Sequence, residues 1–270
     1  MMRSLFKIGL SLLVLAFALI GVSYSFLRAE GVQTGARPER RAVGSETRVL
    51  ARGIDTVELS GPIDMTLRYG PTPALTIKGE ERLLGNIDTS QSGDVLHIGT
   101  KGMLLRHRQP LQAVLVLPTV KRIAVDGSGD SVISGLSGDA IVLQLTGSGS
   151  VRFTGRYQRV DAAVRGSGDL DLNTGNSDEI TLSQESSGQI TVVGSTRKLA
   201  VRKEGSGDLD ARHLRADDVT LKQTGSGDSV VLARETVAIE MNGSGDVRVR
   251  GGPRVQSVAR TGSGGVTFRD

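Results

Sequence analysis

The sequence predicts an all-β chain: a parallel β-helix or closely related β-solenoid of roughly 19-residue rungs, with a less regular N-terminal β cap. Three observations carry this. A GSGD-like tetrapeptide recurs through the second half. It begins at Gly127, Gly147, Gly166, Ser186, Gly205, Gly225, Gly243 and Gly262, at spacings of 20, 19, 20, 19, 20, 18 and 19 residues. Each repeat also carries two apolar patches with the two-residue period of a strand. Finally, the chain has 36 Gly in 270 residues but only 5 Phe, 3 Tyr and no Trp. Glycine at that level disfavours helix bundles, since each helix-interior Gly costs about 1 kcal/mol. Collagen does not fit, because Gly lacks a three-residue period and Pro is only 7.

In chain order, Arg3 and Lys7 precede an apolar run from Ile8 to Leu27. Residues 1–29 therefore read as a signal peptide or an N-terminal membrane anchor. The basic flank puts the remaining body outside the cytoplasm. That means the periplasmic face of the inner membrane if the segment is uncleaved, and the periplasm or cell surface if it is cleaved. Absence of Cys suits an oxidising compartment and excludes disulfides, thiolate nucleophiles and lipidation. Residues 30–48 are polar and mixed, and read as a linker.

Residues 49–126 hold irregular strand-like stretches punctuated by Pro62, Pro71, Pro73, Pro110 and Pro118. They are a cap or a set of degenerate rungs. Residues 127–270 are the regular solenoid. After the glycines come pairs such as Val151 and Phe153 or Leu170 and Leu172; later come Val160 and Ala162 or Ile180 and Leu182. Each repeat thus offers two short strands and two turns. Such a unit buries a core only by stacking on its neighbours. An antiparallel sandwich or hairpin array is the competing reading.

The turn glycines are Gly127 and Gly129, Gly147 and Gly149, Gly166 and Gly168, Gly205 and Gly207, Gly225 and Gly227, Gly243 and Gly245, and Gly262 and Gly264. A sharp turn repeated directly above itself favours residues without a Cβ. The acidic repeat position holds Asp130, Asp169, Asp208, Asp228 and Asp246. These read as caps on turn N–H groups. Asp208, Asp228 and Asp246 fall in consecutive rungs and are the one candidate calcium ligand set. No cofactor is expected.

Other constellations are weak. His97, His107 and His213 form no spaced metal motif, and 147-GSGSV-151 reads as a turn and not a nucleophile elbow. The formal charge is +4; without Arg3, Lys7, Arg28 and Glu30 the body has 30 basic and 28 acidic residues, a net of +2. That balance argues against a nucleic-acid partner. The local basic cluster of Lys101, Arg106, His107 and Arg108 reads as a solvated loop.

The segments 54-IDTVELSGPIDMTLRYG-70 and 81-ERLLGNIDTSQSGDVLHIG-99, followed by strands broken by GSGD turns, resemble the bacterial family of the putative auto-transporter adhesin head domain. The resemblance covers residues 49–269. It implies an exported, envelope-associated β-solenoid and carries over no catalytic residues. The expected role is a structural or adhesion-like module without catalysis, with an envelope protein or a surface glycan as partner. The alternatives are a periplasmic ligand- or protein-binding sensor and a polysaccharide-acting enzyme.

Overall fold

The computed structural model describes residues 43–102 and 110–269. The expected signal or anchor, most of the linker, and the basic residues Arg106, His107 and Arg108 lie outside the described residues. Among the described residues no helix is long and apolar enough to cross a membrane.

Six long strands form the regular body: β9 (Ser131–Gly147), β10 (Val151–Gly166), β11 (Leu170–Ser186), β12 (Ile190–Gly205), β13 (Leu209–Gly225) and β14 (Ser229–Gly243). Each pairs in parallel with the next. A rung is therefore one bent strand of 15–17 residues and not two short ones. The expected second turn is a corner inside that strand. There the register shifts, for example between Thr154 and Arg159 of β10. Successive rungs differ by 18 to 20 residues, and the corner absorbs the difference.

Alternation fills the interior. Along β10, Val151, Phe153, Tyr157, Val160, Ala162 and Val164 are buried, while Arg152, Thr154, Arg159 and Asp161 are exposed. Each fully buried aliphatic contributes roughly 1.5–3 kcal/mol. Stacking places like on like: Val160 meets Ile180, Ile180 meets Leu199, and Leu199 meets Val219.

Tyr157 was not anticipated as a core residue. Its ring lies 6.0 Å from that of Phe153, and its hydroxyl donates to the Val120 carbonyl at 2.9 Å. The two rings fill the corner because neighbouring glycines vacate it. A Cβ on Gly155 would stand 2.6 Å from Phe153 Cζ, and one on Gly138 would stand 3.0 Å from Tyr157 Cε1.

The N-terminal region supplies both rungs and a closing layer. Strands β2 (Thr56–Ser60) and β3 (Ile63–Tyr69) turn at Gly61–Pro62. β2 runs parallel to β8 (Arg122–Gly127), and β3 runs parallel to the first half of β9. Together they form a rung in which Gly-Pro replaces the glycine–serine turn. β6 (Val95–Thr100) and β7 (Leu111–Leu117) continue the parallel stack on β2 and β3, and beyond them the pairing turns antiparallel. β5 (Ile87–Ser92) lies against β6, while β4 (Ala74–Glu80) lies against β7. β1 (Val43–Arg48), which the sequence assigns to the linker, pairs antiparallel with β4. A single helical turn, α1 (Glu81–Leu84), buries Leu83 and Leu84 against this end. The last strands are β15 (Val247–Arg250), β16 (Val255–Thr261) and β17 (Val266–Arg269).

Candidate functional site

The turn edge gathers the residues singled out by the repeat. Two glycines of each turn share one constraint, and the first carries a second. At the first position the backbone is left-handed, with φ +116° at Gly147, and a Cβ there would lie 2.2 Å from the Gly127 carbonyl oxygen. At the third position φ is ordinary and the constraint is proximity. A Cβ on Gly149 would lie 2.1 Å from the Gly129 carbonyl oxygen, well inside van der Waals contact. Ser186 stands at a first position where the other regular turns hold Gly, and Gly188 keeps the third. The Ser186 hydroxyl is buried without a partner.

The acidic position works between rungs and not within its own turn. Asp130 Oδ1 accepts the Ser150 backbone N–H at 3.0 Å and the Ser150 hydroxyl at 2.8 Å. Asp169 accepts from Gln189 N–H at 2.7 Å, Asp208 from Asp228 N–H at 2.8 Å, Asp228 from Asp246 N–H at 2.9 Å, and Asp246 from Gly265 N–H at 2.9 Å. Asp64 does the same for Asp130 N–H at 3.0 Å, which extends the series into the degenerate rung. These bonds hold the Asp130 carboxyl below its ordinary value, with the Ser150 N–H as the largest cause. Asp208, Asp228 and Asp246 thus stand in line, each with one oxygen on a neighbouring amide. Arg248 lies 3.4 Å from Asp228 Oδ2 and 4.0 Å from Asp246 Oδ2, offsetting their repulsion. Among the described residues, no cluster of three or more His, Asp or Glu is arranged to hold a metal ion.

At the corner, charge alternates along the stack. The column Arg159, Glu179, Lys198 and Asp218 is in cross-strand register. The adjacent residues are Asp178, Arg197, Asp217 and Arg234, with Arg197–Asp178 at 2.9 Å and Arg234–Asp217 at 3.5 Å. The same residues were readable at the repeat spacing. The signal passes unnoticed when each repeat is searched for apolar pairs alone.

A second feature is internal. The buried column Val125, Leu145 and Val164 continues as Gln184, Lys203, Gln223 and Met241. Gln184 Nε2 donates to Gly188 O at 2.7 Å and Gln223 Nε2 to Gly227 O at 2.8 Å, each bracing its own turn from inside. Lys203 Nζ donates to the Asp228 carbonyl at 2.9 Å. Burial pushes its ammonium down to about 8, partly opposed by Asp208 and Asp228. His97 lies 3.9 Å from Glu58 on an outer face, and His213 is exposed. Ser150 in the GSGSV segment is bonded to Asp130, a turn arrangement with no histidine bonded to it among the described residues.

Fold and turn edge together define a class: a two-sided parallel β-solenoid whose turns are locked by stacked glycines and inter-rung carboxylate–amide bonds. The chain belongs to the family described as "Putative auto-transporter adhesin, head GIN domain", whose model matches residues 53–253. A putative adhesin from Parabacteroides distasonis is similar over 84% of this chain and 97% of its own, with 22% identity and a TM-score of 0.79. A protein from the same species described as a putative lipid binding protein matches 84% of this chain and 97% of its own, at 21% identity and TM-score 0.73. A putative adhesin from Bacteroides fragilis matches 85% of this chain and 98% of its own, at 19% identity and TM-score 0.64. At these identities the likeness is one of fold. No curated protein matches the chain.

Proposed function

We propose that this chain is an exported, envelope-associated β-solenoid that acts as a rigid structural and adhesive module without catalysis. Residues 1–29 hold it at the inner membrane or are cleaved to release it. The observation that carries this reading is how polar groups are used. The in-line acids of the turn edge are committed to the next rung's amides, and the corner charges alternate down the stack. Such pairing holds register and leaves a long outer surface of polar side chains suited to contact with an envelope protein or surface glycan.

A lipid-carrying reading finds little support in the interior. The space among Ile123, Val125, Leu143, Leu145, Val151 and Leu170 is only about 10 Å³, at the lower limit for one water and far below an acyl chain. The aspartates are structural in this account. Replacing Asp208, Asp228 and Asp246 together with Ala lowers the unfolding midpoint equally with and without Ca²⁺. A calcium-dependent midpoint in the unaltered protein would instead assign them to a metal. Adhesion is tested by deleting the gene and measuring attachment of intact cells to host-matrix and glycan surfaces. Attachment should fall and return on complementation; unchanged attachment on every surface would count against the adhesive role.

A further inference from the structure

The outer side of the corner carries a groove of about 470 Å³ across β9, β10 and β11. Ser137, Thr154, Arg156 and Asn173 line it over a glycine floor. Gly135 and Gly175 lie in that floor with φ of +79° and +65°, a conformation that residues with side chains rarely adopt. Tyr69 of β3 stands at one end, since a Cβ on Gly135 would lie 3.4 Å from Tyr69 Cβ. At the other end the Arg156 stem packs against Gly175, where a Cβ would lie 3.6 Å from Arg156 Cγ. From Tyr69 to Gly175 is three rung steps, about 14 Å, the length of a short oligosaccharide.

The chemistry of the groove fits a carboxylated sugar. Tyr69 is 56% exposed, whereas Phe153 and Tyr157 are buried. An exposed tyrosine offers an apolar face with a polar tip, which suits the face of a pyranose ring. Arg68 is in register with Ser134, and Arg156 with Ser137. Both arginines are exposed and make no ion pair among the described residues. Their neighbour Arg152, by contrast, pairs with Asp171 at 3.4 Å. No Asp or Glu lines the groove. Two uncompensated guanidiniums select carboxylates, which each can hold with two parallel N–H donors. The Ser137 and Thr154 hydroxyls and Asn173 Nδ2 are left for sugar hydroxyls, while Asn173 Oδ1 accepts the Gly175 N–H at 3.3 Å.

We propose that this groove binds an oligosaccharide bearing uronic acid residues, laid along the stack with one ring on Tyr69 and carboxylates held by Arg68 and Arg156. The proposal rests on the adhesive reading and gives that role a site and a ligand class.

The test titrates the full chain, in non-ionic detergent, with tri-galacturonic acid and with neutral galactotriose, read by calorimetry. The acidic trimer should bind at least tenfold more tightly than the neutral one and weaken as salt rises. Arg156→Gln should lower its affinity tenfold or more. So should Ser137→Glu, which sets a carboxylate in register beside Arg156 and removes no existing contact. Tyr69→Ala should weaken both sugars. Arg165→Gln, past the corner on the second half of the rung, changes the net charge as Arg156→Gln does and should leave binding unchanged. All four positions are exposed, so an unchanged unfolding midpoint certifies each variant's fold. Equal affinity for the two sugars, no binding of either, or an equal loss from Arg165→Gln would overturn the proposal. Gene-dependent attachment to a galacturonate surface that survives Ser137→Glu would overturn this site and leave the adhesive role standing. Binding with the expected losses but without gene-dependent attachment would support the site and count against the adhesive role.

Discussion

At position 203 a lysine occupies a column that holds Val125, Leu145 and Val164 in earlier rungs. Burial lowers its proton affinity from the ordinary 10.5 to about 8. Between those values the unfolded chain binds more protons than the folded one. Stability therefore rises with pH across that window, and this group adds no slope below it. Lys203→Met, the residue type found two rungs on at Met241, should remove the rise. Urea unfolding at pH 7.5, 8.5, 9.5 and 10.5 on both proteins measures it; parallel curves would contradict this. Glycine sites make a second prediction. Gly227→Ala places a Cβ 2.0 Å from Gly207 O and should cost roughly 3 kcal/mol. Ser186→Gly removes an unpartnered buried hydroxyl and should add about 1 kcal/mol. Calorimetry checks both signs. The glycine positions were legible because their spacing is the rung itself. Lys203, Gln184 and Gln223 were not, because a polar third residue in each alternating patch reads as the end of the strand. Nothing in the sequence marked Tyr157 either, since its place depends on space left by Gly138 and Gly155.

The rung is the element, and its two ends of travel are held by different chemistry. At the turn, carboxylates reach the amide of the following rung, whereas sequence reading expected turn capping without saying which turn supplies the N–H. The donor sits 18 to 20 residues away, and only stacking brings it close. At the corner, alternating charge sets the register of one rung on the next. Exposed pairs of this kind contribute less than about 1 kcal/mol each. Arg197→Asp sets like charges in adjacent rungs, beside Asp178 and Glu179 below and Asp217 and Asp218 above. It should destabilise, and adding Asp178→Arg should recover most of the loss. A double-mutant cycle in low and high salt measures the coupling, which should shrink as salt screens it. Additive effects in low salt would show that the alternation does not set register.

For the whole molecule, the repeat period favoured a solenoid, since like residues recurring every rung fall on one another when the rungs wind in one direction. What it could not supply was the state of residues 54–126. There the turn shrinks to Gly61–Pro62 and the pairing partners lie far apart in sequence, as with β2 and β8. The period also left open a sandwich of hairpins, in which equivalent turns would not lie on one another. The chain lacks Cys, so an introduced pair reports one distance cleanly. Ser187 and Ser206 hold the same place in adjacent turns, with hydroxyls 3.3 Å apart. Mild oxidation of Ser187→Cys with Ser206→Cys should give an intramolecular disulfide in nearly every molecule. Ser187→Cys with Ser226→Cys, two rungs or about 10 Å apart, should give none. Failure of the first pair, or equal cross-linking of both, would contradict the stacked-rung architecture on which everything above depends.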